Sequence, residues 1–229
     1  MKDAVKDFKN TMQKLSNDSG TTISMQFNGE EHIISKPNEE VGAIVTPKPS
    51  LPPLHLACGD DELRPNLQLI KIKNNIATAT NGNMLVKIDL SLTSPFDIEV
   101  LNMLNGKYIH KEVWKELHKC DSVQYFDDQI DCWNNGIKKT FYYSDHNGEF
   151  WDDSTIIQDI KEAGETPQRI VTYNPQFITI LQKIFKADKL SFSFTSEHKG
   201  TIVFPYSDSG MFAVLMPMKS NDLNRYFFM

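Results

Sequence analysis

The segment 168–218 constrains the fold of this chain most strongly, because its pattern predicts a helix with a defined start followed by three strands. Asn174 is a favoured N-cap residue, and Pro175 suits the first helical position, where the missing N–H costs nothing. The helix has an apolar stripe and a polar face, formed respectively by Phe177, Ile178, Leu181, Ile184 and Phe185 and by Gln176, Thr179, Lys183 and Lys186. One face should therefore pack on a sheet while the other meets water or a ligand.

Strands surround this helix in the order strand, helix, three strands. The predicted strands cover 169–173, 189–195, 201–206 and 211–218. In the second of these, large apolar residues alternate with hydroxyl residues, which predicts a half-buried antiparallel strand with Leu190, Phe192 and Phe194 on one side. The last strand is apolar on both faces, so we expect it to be covered on both.

A second unit with the same order of elements is predicted over 106–144. Its strand, helix and three further strands cover 107–110, 110–120, 122–126, 129–133 and 138–143. The core side of the helix carries Val113, Trp114 and Leu117. Lys111, Lys115 and Lys119 are four residues apart, which predicts that all three lie on its exposed face.

The region 54–90 is predicted to contain a short strand, a helical turn capped by Asp60, and three more strands. These elements cover 54–58, 60–67, 68–73, 75–80 and 84–90. Asn74-Asn75 and Asn81-Gly82 supply the turns between the last three strands.

The N-terminal region, 1–50, is predicted to contain one helix and three strands, over 1–16, 22–27, 31–35 and 41–45. Asn28-Gly29 is a strong hairpin signal between the first two strands. The stretch 46–53 contains four prolines, so we expect a stiff, extended connector there. The predicted organisation is an N-terminal region, a domain, an acidic connector, a C-terminal unit and a tail with an aromatic end, over 1–50, 54–145, 146–167, 168–218 and 219–229.

Two motifs in this chain are more specific than the pattern of elements. The first is Arg64-Pro-Asn-Leu67 followed by Ala79-Thr-Asn-Gly82, and the second is Tyr173-Asn-Pro-Gln-Phe177 with a close in Val214-Leu-Met-Pro-Met218. Both resemble motifs of the bacterial DNA polymerase III beta subunit, the sliding clamp, in which the first turn reads Ala-Thr-Asp-Gly. Asn81 replaces that Asp, and an Asn-Gly turn can serve equally well because both residues tolerate positive φ. The resemblance covers 54–90 and 168–218, and 106–144 more weakly.

The resemblance implies an α+β protein with the DNA-clamp fold, built of repeated β-α-β-β-β units whose antiparallel sheets back the helices. It implies a processivity or tethering factor for DNA replication that has no catalytic activity and no cofactor. The alternative is a clamp-fold interaction or regulatory module that does not encircle DNA. The bacterial subunit dimerises, whereas a two-domain subunit would need three copies to supply the usual six domains, so the resemblance implies a homo-oligomer that is a dimer or a trimer.

The resemblance also implies contact with double-stranded DNA that is not sequence-specific. The cations assigned to this contact are Lys6, Lys9, Arg64, Lys111, Lys115, Lys183 and Lys186. The net charge of −6 conceals an uneven distribution, because the three long predicted helices carry ten lysines and five acidic residues, which leaves −11 for the rest. Attraction between lysine and phosphate is independent of sequence and suits such a protein. Lysines on a surface helix equally serve solubility, and charge alone leaves both interpretations open.

Clamps of this family bind short peptides of polymerases and loaders in an apolar groove near the C-terminal strand. The resemblance therefore assigns Val214, Leu215, Met216, Pro217 and Met218 to the edge of such a groove. The alternative is that this strand is simply core. The tail has Leu223 and an aromatic pair at the spacing of peptides that dock on clamps, so it is a candidate occupant; a dimer contact or a strand cap is the other interpretation.

The chain has no motif of a known enzyme class, so no catalytic residue is predicted. Acidic pairs such as Asp60-Asp61 occur at turns and caps, where Asp is favoured for backbone reasons, and His55, Cys58, His118 and Cys120 lack the spacing of a zinc site. No metal site is therefore predicted. No run approaches the roughly 20 apolar residues of a membrane span, and three cysteines without a Cys-x-x-Cys favour reduced thiols. We expect a cytoplasmic protein without a membrane partner.

Overall fold

A computed structural model describes residues 51–94, 96–145, 158, 171–194, 200–206 and 210–218, together with the backbone of three strands within 23–47. Three predicted segments lie wholly or almost wholly outside the described residues. They are the helix over 1–16, the acidic connector 146–167 and the tail 219–229. Lys6 and Lys9 lie outside them as well.

Thirteen strands and four α-helices are present in the described residues. The strands are β1 (Ile23–Phe27), β2 (Glu30–Ile34), β3 (Ile44–Pro47), β4 (Leu69–Lys73), β5 (Ile76–Thr80), β6 (Met84–Asp89), β7 (Tyr108–His110), β8 (Ser122–Tyr125), β9 (Gln129–Asn134), β10 (Ile137–Tyr142), β11 (Leu190–Ser193), β12 (Thr201–Pro205) and β13 (Met211–Leu215). The helices are α1 (Leu90–Thr93), α2 (Ile98–Leu104), α3 (Lys111–Leu117) and α4 (Pro175–Phe185), with 3₁₀ helices over Leu54–Ala57 and Pro65–Gln68.

The strands form two antiparallel sheets that combine distant parts of the chain. One sheet has six strands in the order β1-β2-β10-β9-β8-β3, and the other has seven in the order β11-β12-β13-β6-β5-β4-β7. The N-terminal strands therefore extend the sheet of the second predicted unit, and the C-terminal strands extend the sheet of the 54–90 region.

Two β-α-β-β-β units interlock at the centre of the molecule by exchanging their first strands. The first unit is β3, the 3₁₀ helix Leu54–Ala57 and β4 to β6, and the second is β7, α3 and β8 to β10. β7 pairs with β4 in the sheet of the first unit, and β3 pairs with β8 in the sheet of the second. Neither unit completes its sheet alone.

This arrangement corrects two predictions about the first unit. The segment 54–58, predicted as a strand, contains a 3₁₀ helix, and the first strand of the unit is β3. The proline-rich stretch is not a free connector, because its first two residues lie in β3, and Leu51 and Pro52 are buried. The Trp114 indole Nε1 donates a hydrogen bond to the Pro52 carbonyl at 2.9 Å, which attaches this stretch to α3.

Asp61, rather than Asp60, caps the turn that follows, since its carboxylate accepts a hydrogen bond from the Leu63 backbone N–H at 2.9 Å.

Two short helices, α1 and α2, were not predicted. Asp89 and Asp97 are their N-caps, and each accepts a backbone N–H from within the first turn. Both helices are too short for a periodic pattern to distinguish them from loops.

The predictions for α4 are confirmed. The Asn174 side chain accepts the Gln176 N–H at 3.0 Å, Pro175 is the first helical residue, and Lys186 ends the helix with φ of +50°. Leu181, Ile184 and Phe185 are buried in the main core. That core also contains Trp114 and Leu117 of α3 and the residues of both sheets that face the helices.

Two tryptophans that are buried in the described structure, Trp114 and Trp133, permit a matched test of the attachment between Pro52 and α3. Trp114→Phe should lower the free energy of unfolding by about 2 kcal/mol, because it removes a buried hydrogen bond and leaves a cavity. Trp133 is similarly buried, but its Nε1 has no hydrogen-bond partner among the described residues. Trp133→Phe should therefore cost less. Urea denaturation of both variants checks this, and equal losses would contradict it.

Candidate functional site

The two sequence motifs meet at the junction of β6 and β13. These strands pair in antiparallel register, with Val214 opposite Leu85 and Leu215 opposite Met84. Beyond the last pair, the Met216 N–H donates to the Asn83 carbonyl at 3.0 Å. The Asn-Gly turn and the Val-Leu-Met-Pro-Met segment, far apart in sequence, therefore form one surface.

Side chains hold the turn between β5 and β6 in a fixed shape. Thr80 Oγ1 donates to the Met84 carbonyl at 2.8 Å and accepts the Gly82 N–H at 3.1 Å. Asn81 Oδ1 accepts the N–H groups of Asn83 and Met84 at 3.0 and 2.9 Å. Gly82 has φ of +87°, whereas Asn81 does not have positive φ. Asn81 is thus suited to the turn as an acceptor, a role that an Asp carboxylate would also fill, and not because it tolerates positive φ.

A small apolar cluster lies beside this turn, on the face of the sheet opposite to the main core. Leu85 and Val214 are buried in it, and Ile202 and Phe212 pack against them. The alternation along β13 places Met216 on the same face, where 40% of its surface is exposed. A partly open apolar surface therefore continues from the cluster to the end of the strand.

The structure separates the five predicted groove residues. Val214 forms the floor of the apolar cluster, Met216 and Met218 are exposed at its end, and Pro217 is half-buried. Leu215 is fully buried in the main core on the other face, so for this residue the core interpretation holds. Sequence reasoning missed Leu85, Ile202 and Phe212, because no local signal indicates which strands pair across such distances.

Arg64 belongs to the surroundings of the Asn-Gly turn by position. A Cβ built on Gly82 would lie 3.6 Å from Arg64 Nη1. The guanidinium Nε lies 2.6 Å from Asp61 Oδ2, and its hydrogen bond is the main cause that holds the pKa of Asp61 below its usual value. Arg64 therefore lies in the segment before β4, beside the Asn-Gly turn at the junction of β6 and β13.

The lysines of α3 are largely neutralised by nearby carboxylates. Lys111 donates to the Gly59 carbonyl at 2.8 Å and pairs with Asp60, and its side chain is only 12% exposed. The prediction that Lys111 lies on an exposed face is therefore wrong. Lys115 is exposed but lies 3.3 Å from Glu112 Oε2, and Lys119 pairs with Glu116 and lowers the pKa of that carboxyl.

The exposed lysines of α4 differ from those of α3. Lys183 and Lys186 lie on the polar face of the helix, and no ion pair joins either to an acidic side chain within the described residues. Lys186 lies close enough to His118 for its charge to lower the pKa of that imidazole, after the larger effect of burial. Within the described part of the chain, α4 therefore presents positive charge without a carboxylate partner beside the end of α3.

Two histidines meet where α3 approaches the 3₁₀ helix Leu54–Ala57. The rings of His55 and His118 pack edge to face with centroids 5.4 Å apart. Burial, followed by the charges of His118 and Lys115, lowers the pKa of His55 to about 4. His55 Nδ1 and His118 Nε2 are buried without a hydrogen-bond partner in the described part of the chain. Both histidines should therefore be neutral at pH 7.

The histidine pair predicts loss of stability in mild acid. Because the folded state lowers the pKa of His55 from 6.5 to about 4, the unfolded chain binds more protons between these values. Stability should be full above pH 6.5 and fall as the pH decreases toward 4. Since solvent screens a half-buried ring, we expect a loss of about 1 kcal/mol between pH 7.5 and pH 5.

Urea midpoints at several pH values measure this dependence. His55→Gln should reduce the loss, and His55→Gln with His118→Gln should reduce it further. An unchanged pH dependence in the double variant would assign the acid sensitivity to other groups.

Among the described residues, no group of three or more His, Cys, Asp or Glu side chains is placed to hold a metal ion. Within the same residues, no helix has the length and apolar character needed to cross a membrane. The three cysteines are buried free thiols.

Comparison with known proteins finds solved structures of DNA polymerase sliding clamps among those similar to this chain. No protein-family model and no curated protein sequence matches the chain. The DNA polymerase sliding clamp of Bacillus subtilis superposes with a TM-score of 0.54 at 14% identity, covering 87% of this chain and 75% of that one. The DNA polymerase III beta subunit of Thermotoga maritima gives a TM-score of 0.53 at 13% identity, covering 87% and 76%. A sliding clamp of Bartonella birtlesii bound to griselimycin gives 0.54 at 13%, covering 87% and 74%.

At these identities the likeness establishes the architecture alone. The chain spans about three quarters of the length of each of these structures. This chain therefore has the fold of the bacterial DNA sliding clamp, the DNA polymerase III beta subunit.

Proposed function

We propose that this protein is a sliding-clamp-like factor that tethers a partner protein to double-stranded DNA in the cytoplasm, without catalysis. The observation that carries the proposal is the convergence of the Asn-Gly turn and the Val-Leu-Met-Pro-Met segment on one partly open apolar surface. This surface lies on the face of the seven-stranded sheet opposite to α4. A tether needs two surfaces that can be occupied together, and the two faces of this sheet supply them.

Lys183 and Lys186 are the leading candidates for DNA contact. Both are exposed on α4, and neither has a carboxylate partner in the described residues, so both can attract phosphate. Lys115 is a weaker candidate, because Glu112 competes for it. Lys111 is assigned to structure and Arg64 to the surroundings of the turn. Lys6 and Lys9 remain predictions from the sequence.

Single charge reversals test the DNA surface. Lys183→Glu and Lys186→Glu should each weaken binding to a labelled duplex and reduce the slope of log K against log salt concentration by about 1. Lys73→Glu is the matched control, because Lys73 is exposed and alternates with the core residue Ile72, which places it on the opposite face of the sheet. Fluorescence anisotropy at several salt concentrations gives the slopes. Equal effects of all three substitutions would show that overall charge, and not α4, governs binding.

The apolar surface at the end of β13 should bind a short extended peptide that carries leucine and aromatic side chains. Met216 provides exposed apolar area there, and Leu85 and Val214 provide a packed floor. Aromatic and leucine anchors bind best to such partly preformed apolar surfaces with few competing charges.

A labelled peptide with the sequence of residues 220–229 is the probe for this surface. Met216→Asp should raise its dissociation constant at least about tenfold, which corresponds to 1.4 kcal/mol. Ile98→Asp is the control, since Ile98 is an exposed apolar residue at the start of α2. Removal of residues 223–229 should raise the affinity of the peptide if the tail occupies the surface. Binding that Met216→Asp leaves unchanged would exclude this site.

The alternative function is a clamp-fold interaction module that does not encircle DNA. It is favoured by the neutralised lysines of α3, which leave much of one helix without free positive charge. A clamp should be retained on circular but not on linear DNA when a loader is supplied. Peptide binding without such retention, and without an effect of the α4 lysines on DNA, would favour the module.

For a ring of six domains we propose three copies of this chain.

A further inference from the structure

A row of side chains crosses the face of the seven-stranded sheet that lies opposite to α4. Its centre is formed by Lys71 on β4, Thr78 on β5 and Lys87 on β6, which are direct neighbours in the antiparallel register. Phe212 on β13 continues the row, since it lies opposite Lys87. All four residues alternate with residues of the main core, so their side chains stand on the other face of the sheet. The row therefore joins two lysines to an aromatic residue of the apolar cluster.

Lys87 is the lysine that borders the apolar cluster. It is two residues from Leu85 on the same strand, a separation of roughly 7 Å between Cα atoms. It also pairs with Phe212, which packs against Leu85 and Val214. Lys71 lies two strands away from Lys87, at a distance of roughly 10 Å. One side of the apolar cluster is therefore lined by positive charge.

The charge of this part of the sheet face has one predominant sign. Along β4, β5 and β6 the side chains on this face include three lysines and one carboxylate, namely Lys71, Lys73, Lys87 and Asp89. Asp89 Oδ1 accepts the N–H and the hydroxyl of Ser91 at 2.9 and 2.5 Å, so this carboxylate caps α1. The face beside the apolar cluster therefore suits a ligand that carries negative charge.

These lysines do not belong to the proposed DNA surface. Lys183 and Lys186 are on α4, whereas Lys71 and Lys87 lie on the sheet face that points away from this helix. A duplex that contacts α4 is separated from them by the sheet. Their charge acts instead on a ligand of the apolar surface.

We infer that the apolar surface binds extended peptides in which an acidic residue lies within one or two residues of the leucine anchor, and that this carboxylate pairs with Lys87. Alternate side chains of an extended peptide are about 7 Å apart, which matches the separation of Leu85 and Lys87. The long, flexible lysine stem lets the ammonium group follow the carboxylate. Lys71 adds attraction at longer range. This inference rests on the proposed peptide site and adds the charge of its ligand.

The peptide of residues 220–229 has the chemistry needed for a probe. Asp222 is its one acidic residue and comes directly before Leu223. With an amidated C-terminus and a neutral label, Asp222 is the only negative charge of the peptide. Against the full wild-type chain, the Asp222→Asn peptide should have a dissociation constant about threefold higher, as expected for loss of a partly exposed ion pair. The difference should shrink as salt concentration rises, because salt screens such pairs.

A charge swap assigns the contact to one lysine. Lys87→Glu should raise the dissociation constant of the wild-type peptide about tenfold, because it replaces attraction with repulsion. The Asp222→Lys peptide should bind Lys87→Glu more tightly than it binds the wild-type protein. Lys73→Glu is the matched control, since Lys73 lies on the same face but at the end of β4, away from the apolar cluster. It should change the dissociation constant less than about twofold.

The outcomes separate this inference from the proposed site. Binding that is lost in Met216→Asp, but falls equally in Lys87→Glu and Lys73→Glu, would overturn the inference and leave the apolar site standing. A charge swap that restores no binding would do the same. Equal affinities of the wild-type and Asp222→Asn peptides would also overturn it, and this comparison needs no protein variant, so it stands even if Lys87→Glu does not fold. Absence of any peptide binding would overturn both.

Discussion

The exchange of first strands between the two central units is the constraint on which the rest of this structure depends. β7 and β3 are short, and each pairs with a strand in the sheet of the other unit. The exchange brings both sheets onto one core, which contains Trp114 of α3 together with Leu54 and Ala57 of the first 3₁₀ helix. The attachment of Trp114 to the Pro52 carbonyl shows how a proline-rich stretch can be part of the core.

The site at the junction of β6 and β13 follows from this scaffold. The central domain fixes β6, and β13 adds to its free edge, so the Asn-Gly turn and the Met-Pro-Met segment meet without a dedicated loop. The hydrogen bond that Thr80 donates to the Met84 carbonyl and the one that Asn81 accepts from the Met84 N–H fix the turn beside the apolar cluster. Because β-pairing sets the position of both motifs, small changes in strand register would separate them.

Local features of this chain were predictable from its sequence, and long-range pairing was not. The start of α4 at Asn174, its apolar stripe and the turns at Asn74-Asn75 and Asn81-Gly82 follow from short-range chemistry, and the structure contains them. The sequence predicts a strand at 54–58 and a connector around Pro47, but an edge strand tolerates proline, and the first strand of the first unit is β3. The exposure of Lys111 was predicted from helical spacing, but Gly59 and Asp60 approach it from another part of the chain. Likewise, Val214 and Leu215, both predicted to line the groove, lie on opposite faces of β13. Motif matching cannot reveal this difference.

The proline at the end of β3 has a consequence for how sheets in this protein can grow. β3 forms one border of the six-stranded sheet, and Pro47 has no N–H to offer a further strand. β7, the corresponding border of the seven-stranded sheet, has only three residues. Neither border of the central domain therefore offers a good edge for pairing with a further strand. The borders formed by the chain's two terminal regions, β1 and β11, have neither the proline nor the three-residue length. The middle of the molecule is thereby protected against unwanted pairing with other sheets along its borders.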